Sequence, residues 1–213
     1  MSKLHKRLVL LYAILIVSGL ASTGIGNVKI DSEKTKKYQT QRPANWAVAI
    51  KEDGLPNFHK VSETLYRGAQ PDANGIAKLK AMGIKTILNL RAFHSDKDEI
   101  GDVNIGCEHI SMTAWHPEYK EIVKFLQIVT DPKKTPVFVH CQHGADRTGL
   151  MCAVYRAAVE GWSKEDALNE MIYGGYGFHS IWKNLLNYYM RLDIEKLKQQ
   201  INPNSPEPVK NPL

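Results

Sequence analysis

Hydrophobic and polar positions along the chain follow two rhythms that alternate. Residues 61–66, 84–90 and 105–112 are short stretches rich in β-branched and other apolar residues and read as strands, and Pro136-Val137-Phe138-Val139 is a continuous apolar run that reads as a buried one. Between them the period lengthens to that of a helix. Residues 72–82 predict a helix that Asp72 can cap and Gly83 can end. In residues 118–129, Ile122, Phe125, Leu126 and Val129 fall on one face. Residues 148–160 predict a helix directly after the last strand, Ser163 and Asp166 resemble a capping box for another, and residues 180–200 predict one long amphipathic helix. Strands alternating with helices predict an α/β fold with a mainly parallel central sheet flanked by helices. Residues 46–200 are enough for one domain with a sizeable core.

Both ends depart from this pattern. Lys3, His5, Lys6 and Arg7 precede an unbroken apolar run at residues 8–17, and Gly19-Leu20-Ala21 supplies small residues at the cleavage spacing, so residues 1–26 read as a secretory signal peptide. The uncharged stretch is short for a spanning helix of about 20 residues, which favours cleavage over retention as an anchor. The expected location is therefore periplasmic or secreted, with membrane contact only if the segment is retained as an inner-membrane anchor. Residues 27–45 are polar and Lys-rich and read as an extended linker, and residues 201–213, with four prolines, read as a disordered tail.

Charge changes the picture little. The chain carries 28 Lys and Arg against 22 Asp and Glu, a net +6, and loss of Lys3, Lys6 and Arg7 with the signal leaves 25 − 22 = +3. No basic stripe interleaved with aromatics is present, so a nucleic-acid partner is not expected, whereas mild basicity suits an anionic substrate. Of the three cysteines, Cys107, Cys141 and Cys152, an odd count leaves at least one thiol free. Cys152, among Leu150, Met151 and Val154, reads as a core residue, with a Cys107–Cys152 bridge as the alternative.

The chemistry is concentrated in His140-Cys141-Gln142-His143-Gly144-Ala145-Asp146-Arg147-Thr148-Gly149, a loop between the last strand and the helix after it. The amides of a tight loop at a helix N-terminus form an anion trap. Gln142, His143, Gly144, Ala145, Asp146 and Arg147 would line it, and the guanidinium of Arg147 can hold two phosphate oxygens at once, as a Lys cannot. The same surroundings stabilise a thiolate at Cys141. Nucleophile and oxyanion clamp thus come in one loop. A metal reading of His140, Cys141 and His143 lacks a second ligand pair at metal-binding spacing, so no metal or other cofactor is expected.

His-Cys, five residues, then Arg-Thr-Gly resembles the signature of the cysteine-dependent protein tyrosine and dual-specificity phosphatases. Leu65-Tyr66-Arg67-Gly68-Ala69-Gln70-Pro71, Ile87-Leu88-Asn89-Leu90-Arg91, Tyr155-Arg156, Glu160-Gly161-Trp162 and Gly174-Gly175-Tyr176-Gly177 are similar to small bacterial, often periplasmic, members. The resemblance implies a two-step reaction through a phosphocysteine at Cys141, with Arg147 on the equatorial oxygens and Thr148 hydrogen-bonded to the sulfur. It implies that His140 orders the loop from beneath through backbone carbonyls, and that the Gly174-Gly175-Tyr176-Gly177 segment packs near the site. It needs no metal.

One expected part is missing. Relatives supply an Asp, as the acid that protonates the leaving oxygen, from a loop some way before the Cys; the matching stretch here, residues 111–119, contains no Asp. His116 and Glu118 are candidates by position. Asp146 is another: it resembles the in-loop acid of some inositide phosphatases, and a bound dianion favours the protonated form of a neighbouring carboxyl. Asp131, before Pro132, reads as a turn former, Arg91 as a loop brace within reach of the rim, and His179 as a surface residue. The expected substrate is a phosphorylated protein. Alternatives are an inositol phosphate or phosphoinositide, or a phospho-ligand bound without chemistry.

Overall fold

The computed structural model describes residues 29–202. The signal peptide expected at residues 1–26 and most of the expected tail lie outside the described residues. Six strands, β1 (Val48–Ala49), β2 (His59–Lys60), β3 (Leu65–Gly68), β4 (Thr86–Arg91), β5 (Gly106–Met112) and β6 (Val137–His140), form one sheet in the order β1-β2-β3-β6-β4-β5. The pairs β3–β6, β6–β4 and β4–β5 are parallel, and β1–β2 and β2–β3 are antiparallel. The mainly parallel sheet expected from the alternating rhythm is the one observed. Its last strand, β6, is central and entirely buried, which explains a continuous apolar run instead of an alternating one.

Side-chain alternation along these strands divides the core in two. Phe138 and Ile87 point to one face, where Ile76 and Leu79 of α2 (Ala73–Ala81) and Ile100 of α3 (Lys97–Ile100) cover them. Val137, Val139, Leu88 and Leu90 point to the other face and meet a larger layer. That layer consists of α4 (Tyr119–Val129), α5 (Asp146–Ala158), α6 (Lys164–Tyr173), α7 (Lys183–Arg191) and α8 (Ile194–Ile201). Helix α5 starts where β6 ends and is buried along nearly its whole length, so the loop between them is held by the two most enclosed elements of the fold.

Local signals hold where they are chemical. Asp72 caps α2 by accepting from the Gly75 amide at 2.8 Å, Gly83 follows at φ +85°, and Ser163 accepts from the Asp166 amide at 3.0 Å to start α6. Three expectations change. The early strand begins only at Leu65, because the Ser62 hydroxyl accepts from the amides of Thr64 and Leu65 and turns the chain there. The long last helix is broken into a 3-10 turn (Ser180–Trp182), α7 and α8, with Asp193 capping α8 by accepting from the Lys196 amide. The extended linker is replaced over part of its length by helix α1 (Ser32–Thr40).

Helix α1 buries no residue completely, so apolar periodicity could not announce it. It docks through long side chains: Lys34 pairs with Glu165 at 3.0 Å, and the Tyr38 ring lies 5.5 Å from Tyr173 and 4.8 Å from Trp46. The two-residue strands β1 and β2 carry no readable period either. All three cysteines are free; Cys152 is buried in the core, and no Cys107–Cys152 bridge forms.

Candidate active site

The loop after β6 is shaped by where its carbonyls go. His140 Nδ1 faces the Cys141 oxygen at 3.3 Å, the Gln70 amide donates to Gln142 O at 3.3 Å, Asn57 Nδ2 donates to His143 O at 2.9 Å, and Arg67 Nη2 donates to Gly144 O at 2.7 Å. Four consecutive carbonyls are thus engaged. The amides of residues 142–147 have no acceptor among the described residues. A loop whose successive carbonyls are already engaged is left with its N–H groups for its concave side, the arrangement that binds an anion. Helix α5 begins here without a side-chain cap, and its exposed dipole end adds to the same field.

Gly144 is what lets the loop close. Its φ is +68°, and a Cβ there would lie 2.4 Å from the Gly68 carbonyl and 2.6 Å from the Ala69 amide nitrogen, both backbone atoms that cannot give way. Cys141 is buried, with 2 % of its surface exposed, directly before Gln142. Arg147 is half-buried and is anchored through Nη1 to the carbonyls of Leu90 and Met112 at 3.3 and 3.2 Å, at the carboxyl ends of β4 and β5. Its Nε and Nη2 have no partner among the described residues, which leaves a fork for two oxygens of one anion. Thr148 Oγ1 is buried and unpartnered, so the bond to the Cys141 sulfur that the resemblance implies is not among those made.

A cavity of about 480 Å³ opens above this loop. It is lined by Gln142, His143, Asp146 and Arg147 of the loop, Arg91, Ala92 and Phe93 from the end of β4, Met112, Thr113, Ala114 and Trp115 from the end of β5, and His179, Ile181 and Trp182 from before α7. Phe93, Trp115 and Ile181 are exposed at the rim. Of the three acid candidates only Asp146 is on the wall. Glu118 precedes α4, where Lys120 at 2.8 Å holds its carboxyl below the ordinary range, and neither it nor His116 lines the cavity. Asp146 Oδ1 accepts from the His179 backbone amide and Oδ2 bonds the His179 ring at Nδ1, both at 2.8 Å.

The supports were largely invisible in the sequence. Asp96, between β4 and α3, accepts from Asn89 and Gln70 at 2.9 and 3.0 Å and bonds His140 Nε2 at 2.8 Å. Burial pushes its carboxyl pKa up, but the His140 bond and charge, with the Gln70 bond, outweigh that and hold it below the ordinary range. His140 therefore orders the loop from beneath as expected, with a carboxylate behind it. Arg91 Nη1 bonds Gln70 Oε1 at 2.9 Å, so it braces this network and also reaches the cavity wall.

A second line of contacts comes from the opposite side. Glu170 takes a two-point grip from Arg156 (2.7 and 3.0 Å) and a bond from the Tyr176 hydroxyl at 2.9 Å; Arg67 lies flat over the Tyr176 ring, 3.6 Å from its centroid, and reaches Gly144. Burial opposes ionisation of Glu170, but the Arg156 bonds and charge dominate and lower its pKa. Asn57, at φ +54°, ties the loop to Tyr176 O as well as to His143 O. The glycine-rich segment thus packs behind the loop. Cys152 contrasts with the loop: complete burial pushes its thiol up to about 11, which suits an inert core residue.

Residues 39–184 match the family model described as DSP-PTPase phosphatase fused to NAD+ kinase. The chain is 34 % identical over 162 residues to the dual specificity protein phosphatase TpbA of Pseudomonas aeruginosa, covering 75 % of this chain and 72 % of that protein. The crystal structure of TpbA in complex with phosphotyrosine superposes with a TM-score of 0.69 at 30 % identity, over 77 % of this chain and 99 % of that one. The catalytic core of the phosphatase SIW14 from S. cerevisiae shares the fold, with a TM-score of 0.60 at 19 % identity over 72 % of this chain and 96 % of that one.

Proposed function

The chain belongs to the cysteine-dependent dual-specificity and protein tyrosine phosphatases, and from that membership we propose how its own residues divide the work. Cys141 attacks phosphorus and forms a phosphocysteine as the leaving oxygen departs; water then releases inorganic phosphate and restores the thiolate. The amides of Gln142, His143, Gly144, Ala145, Asp146 and Arg147 hold the three non-bridging oxygens, and the free fork of Arg147 takes two of them, most strongly as charge develops in the transition state. Thr148, with its buried unpaired hydroxyl, steadies the sulfur as it leaves in the second step. Asp146, the one carboxylate on the cavity wall, is engaged by the backbone amide and ring of His179.

The observation that carries this reading is the division of the loop: four carbonyls engaged, three of them from outside, six amides with no acceptor among the described residues, one free guanidinium fork. The substrate we propose is phosphotyrosine in a protein. The cavity's volume of about 480 Å³ is sufficient for an aryl phosphate, and Phe93, Trp115 and Ile181 offer exposed apolar faces to a ring, whereas Arg91 and Arg147 are its only permanent cations among the described residues. Phosphate release from phosphotyrosine and phosphothreonine peptides, a phosphoinositide and an inositol phosphate tests this directly. Preference for the phosphotyrosine peptide by about tenfold or more in kcat/KM supports it. A preference for an inositol ester, or binding without turnover, contradicts it.

We also propose that the enzyme acts outside the cytoplasm. Support comes from the basic start and apolar run of residues 1–26, and no helix among the described residues is long and apolar enough to cross a membrane. Cell fractionation of the full chain, with the N-terminus of the mature protein sequenced, tests both export and cleavage.

A further inference from the structure

The upstream loop of this protein brings no carboxylate to the cavity. What it contributes is Met112, Thr113, Ala114 and Trp115, none of which can give up a proton to a leaving oxygen near neutral pH. The same cavity is also lined by a His–Asp pair. Both oxygens of the nearly buried Asp146 carboxylate are engaged by one residue, through the backbone amide and the ring Nδ1 of His179, each at 2.8 Å. Both oxygens are thereby occupied on His179, and in such a pair an ionised carboxylate can only accept, with the ring nitrogen carrying the proton. His179 is half-exposed, lines the cavity, and its Nε2 has no partner among the described residues.

We infer that His179 is the general acid of this enzyme, and that Asp146 is the residue that positions it. The inference rests on the phosphatase reading above. An imidazole fixed at Nδ1 by a carboxylate presents Nε2 alone to the reacting atoms, and imidazole as a class changes protonation near neutral pH, where an acid and base in one reaction must work. In the first step the Cys141 thiolate forms the S–P bond, the P–O bond to the leaving group breaks, and the Nε2 proton of the imidazolium passes to the leaving oxygen. In the second step water attacks phosphorus, the S–P bond breaks to restore the thiolate, and the neutral imidazole takes the proton that water gives up. Atoms and charges return to their starting state. The charged and titratable groups that share the cavity with His179 are Asp146, Arg147, the edge-on His143 ring at 5.5 Å and Arg91; Asp146 alone bonds the ring.

The test compares leaving groups. Full-length enzyme and the variants His179→Ala, Asp146→Asn and Cys141→Ser are assayed across pH on p-nitrophenyl phosphate, whose leaving group departs as an anion, and on phenyl phosphate and a phosphoserine peptide, whose leaving groups need protonation. His179→Ala is expected to lose about 10²–10⁴-fold in kcat/KM on the poor leaving groups and less than about tenfold on p-nitrophenyl phosphate. It should also lose the high-pH limb of the kcat/KM profile and recover on addition of free imidazole. Asp146→Asn should lose less than His179→Ala on the poor leaving groups, because the ring remains but is no longer fixed at Nδ1. Equal losses of His179→Ala on all substrates, or unchanged rates on all, overturn the inference. So does an Asp146→Asn variant that alone loses the poor leaving groups, which would make Asp146 itself the acid. Activity on p-nitrophenyl phosphate shows that His179→Ala is folded with an intact loop. Survival of that activity in Cys141→Ser would sink the phosphatase reading instead, and so is distinguishable from failure of the inference.

Discussion

At Arg147 the side chain is divided between the anchor it makes and the anion grip proposed for it. One guanidinium nitrogen is spent on the carbonyls of Leu90 and Met112, and the other two remain for the anion. A Lys has a single charged nitrogen and cannot do both, so Arg147→Lys is expected to lower kcat by about 10²–10³-fold while the fold stays intact, as read by steady-state kinetics beside thermal unfolding. Asp96 makes a different kind of prediction, because it touches no substrate. Its carboxyl is held below the ordinary range in the folded state, so its contribution to stability is fully present above the unfolded value of about 3.9 and is lost as pH falls through the folded value. Asp96→Asn removes the charge that faces the buried His140 and is expected to cost about 1–3 kcal/mol near neutral pH. The gap to wild type should shrink at a pH acidic enough to protonate the native carboxylate as well. Urea unfolding at the two pH values checks this; a constant gap would refute it.

At the level of elements, the loop is held because β6 and α5 bring its ends together while His140 of β6, Asn57, Arg67 and Gln70 engage its carbonyls. Gly144→Ala tests the closure: the new Cβ meets two backbone groups at a positive φ, and the expected result is near-complete loss of turnover and of phosphate-induced thermal stabilisation, with far-UV helix content unchanged. The Tyr176 ring is the platform under Arg67. Tyr176→Phe keeps the platform and loses the hydroxyl bond to Glu170, so activity should stay within about threefold and stability fall by about 1 kcal/mol. Tyr176→Ala removes the platform and should cost about tenfold or more in kcat. These dependencies explain what the sequence made legible. Cys141, Arg147, the strand before them and the helix after them lie within a few residues of one another, and spacing alone reports them. Asp96, Asn57, Arg67 and His179 act on the loop across separations of 44, 86, 77 and 33 residues, and no local pattern marks a partner that only folding supplies. Arg67 and Tyr176 were visible as parts of family-like motifs, without their roles.

Across the whole molecule, the parallel strands β3, β6, β4 and β5 all direct their carboxyl ends to one edge, and the catalytic loop, the Arg147 anchors and Asp96 collect there. Helix α1 stands at a distance from that chemistry, on α6, yet the stretch after it carries Arg42 to the Tyr176 hydroxyl and the Gly174 carbonyl. Truncation through residue 42 is therefore expected to remove about 1–3 kcal/mol, or about 3–10 °C of Tm, with a smaller effect on kcat than Tyr176→Ala, as measured by calorimetry and steady-state kinetics. The central claim is that one loop cysteine carries the phosphoryl group in transit. Rapid acid quench of the enzyme with an aryl phosphate, followed by peptide mass spectrometry, tests it most directly. A phosphoryl adduct on Cys141 that forms and decays at rates consistent with turnover, and is absent in Cys141→Ser, is the predicted result. Full turnover in Cys141→Ser, or an adduct on any other residue, would contradict the account.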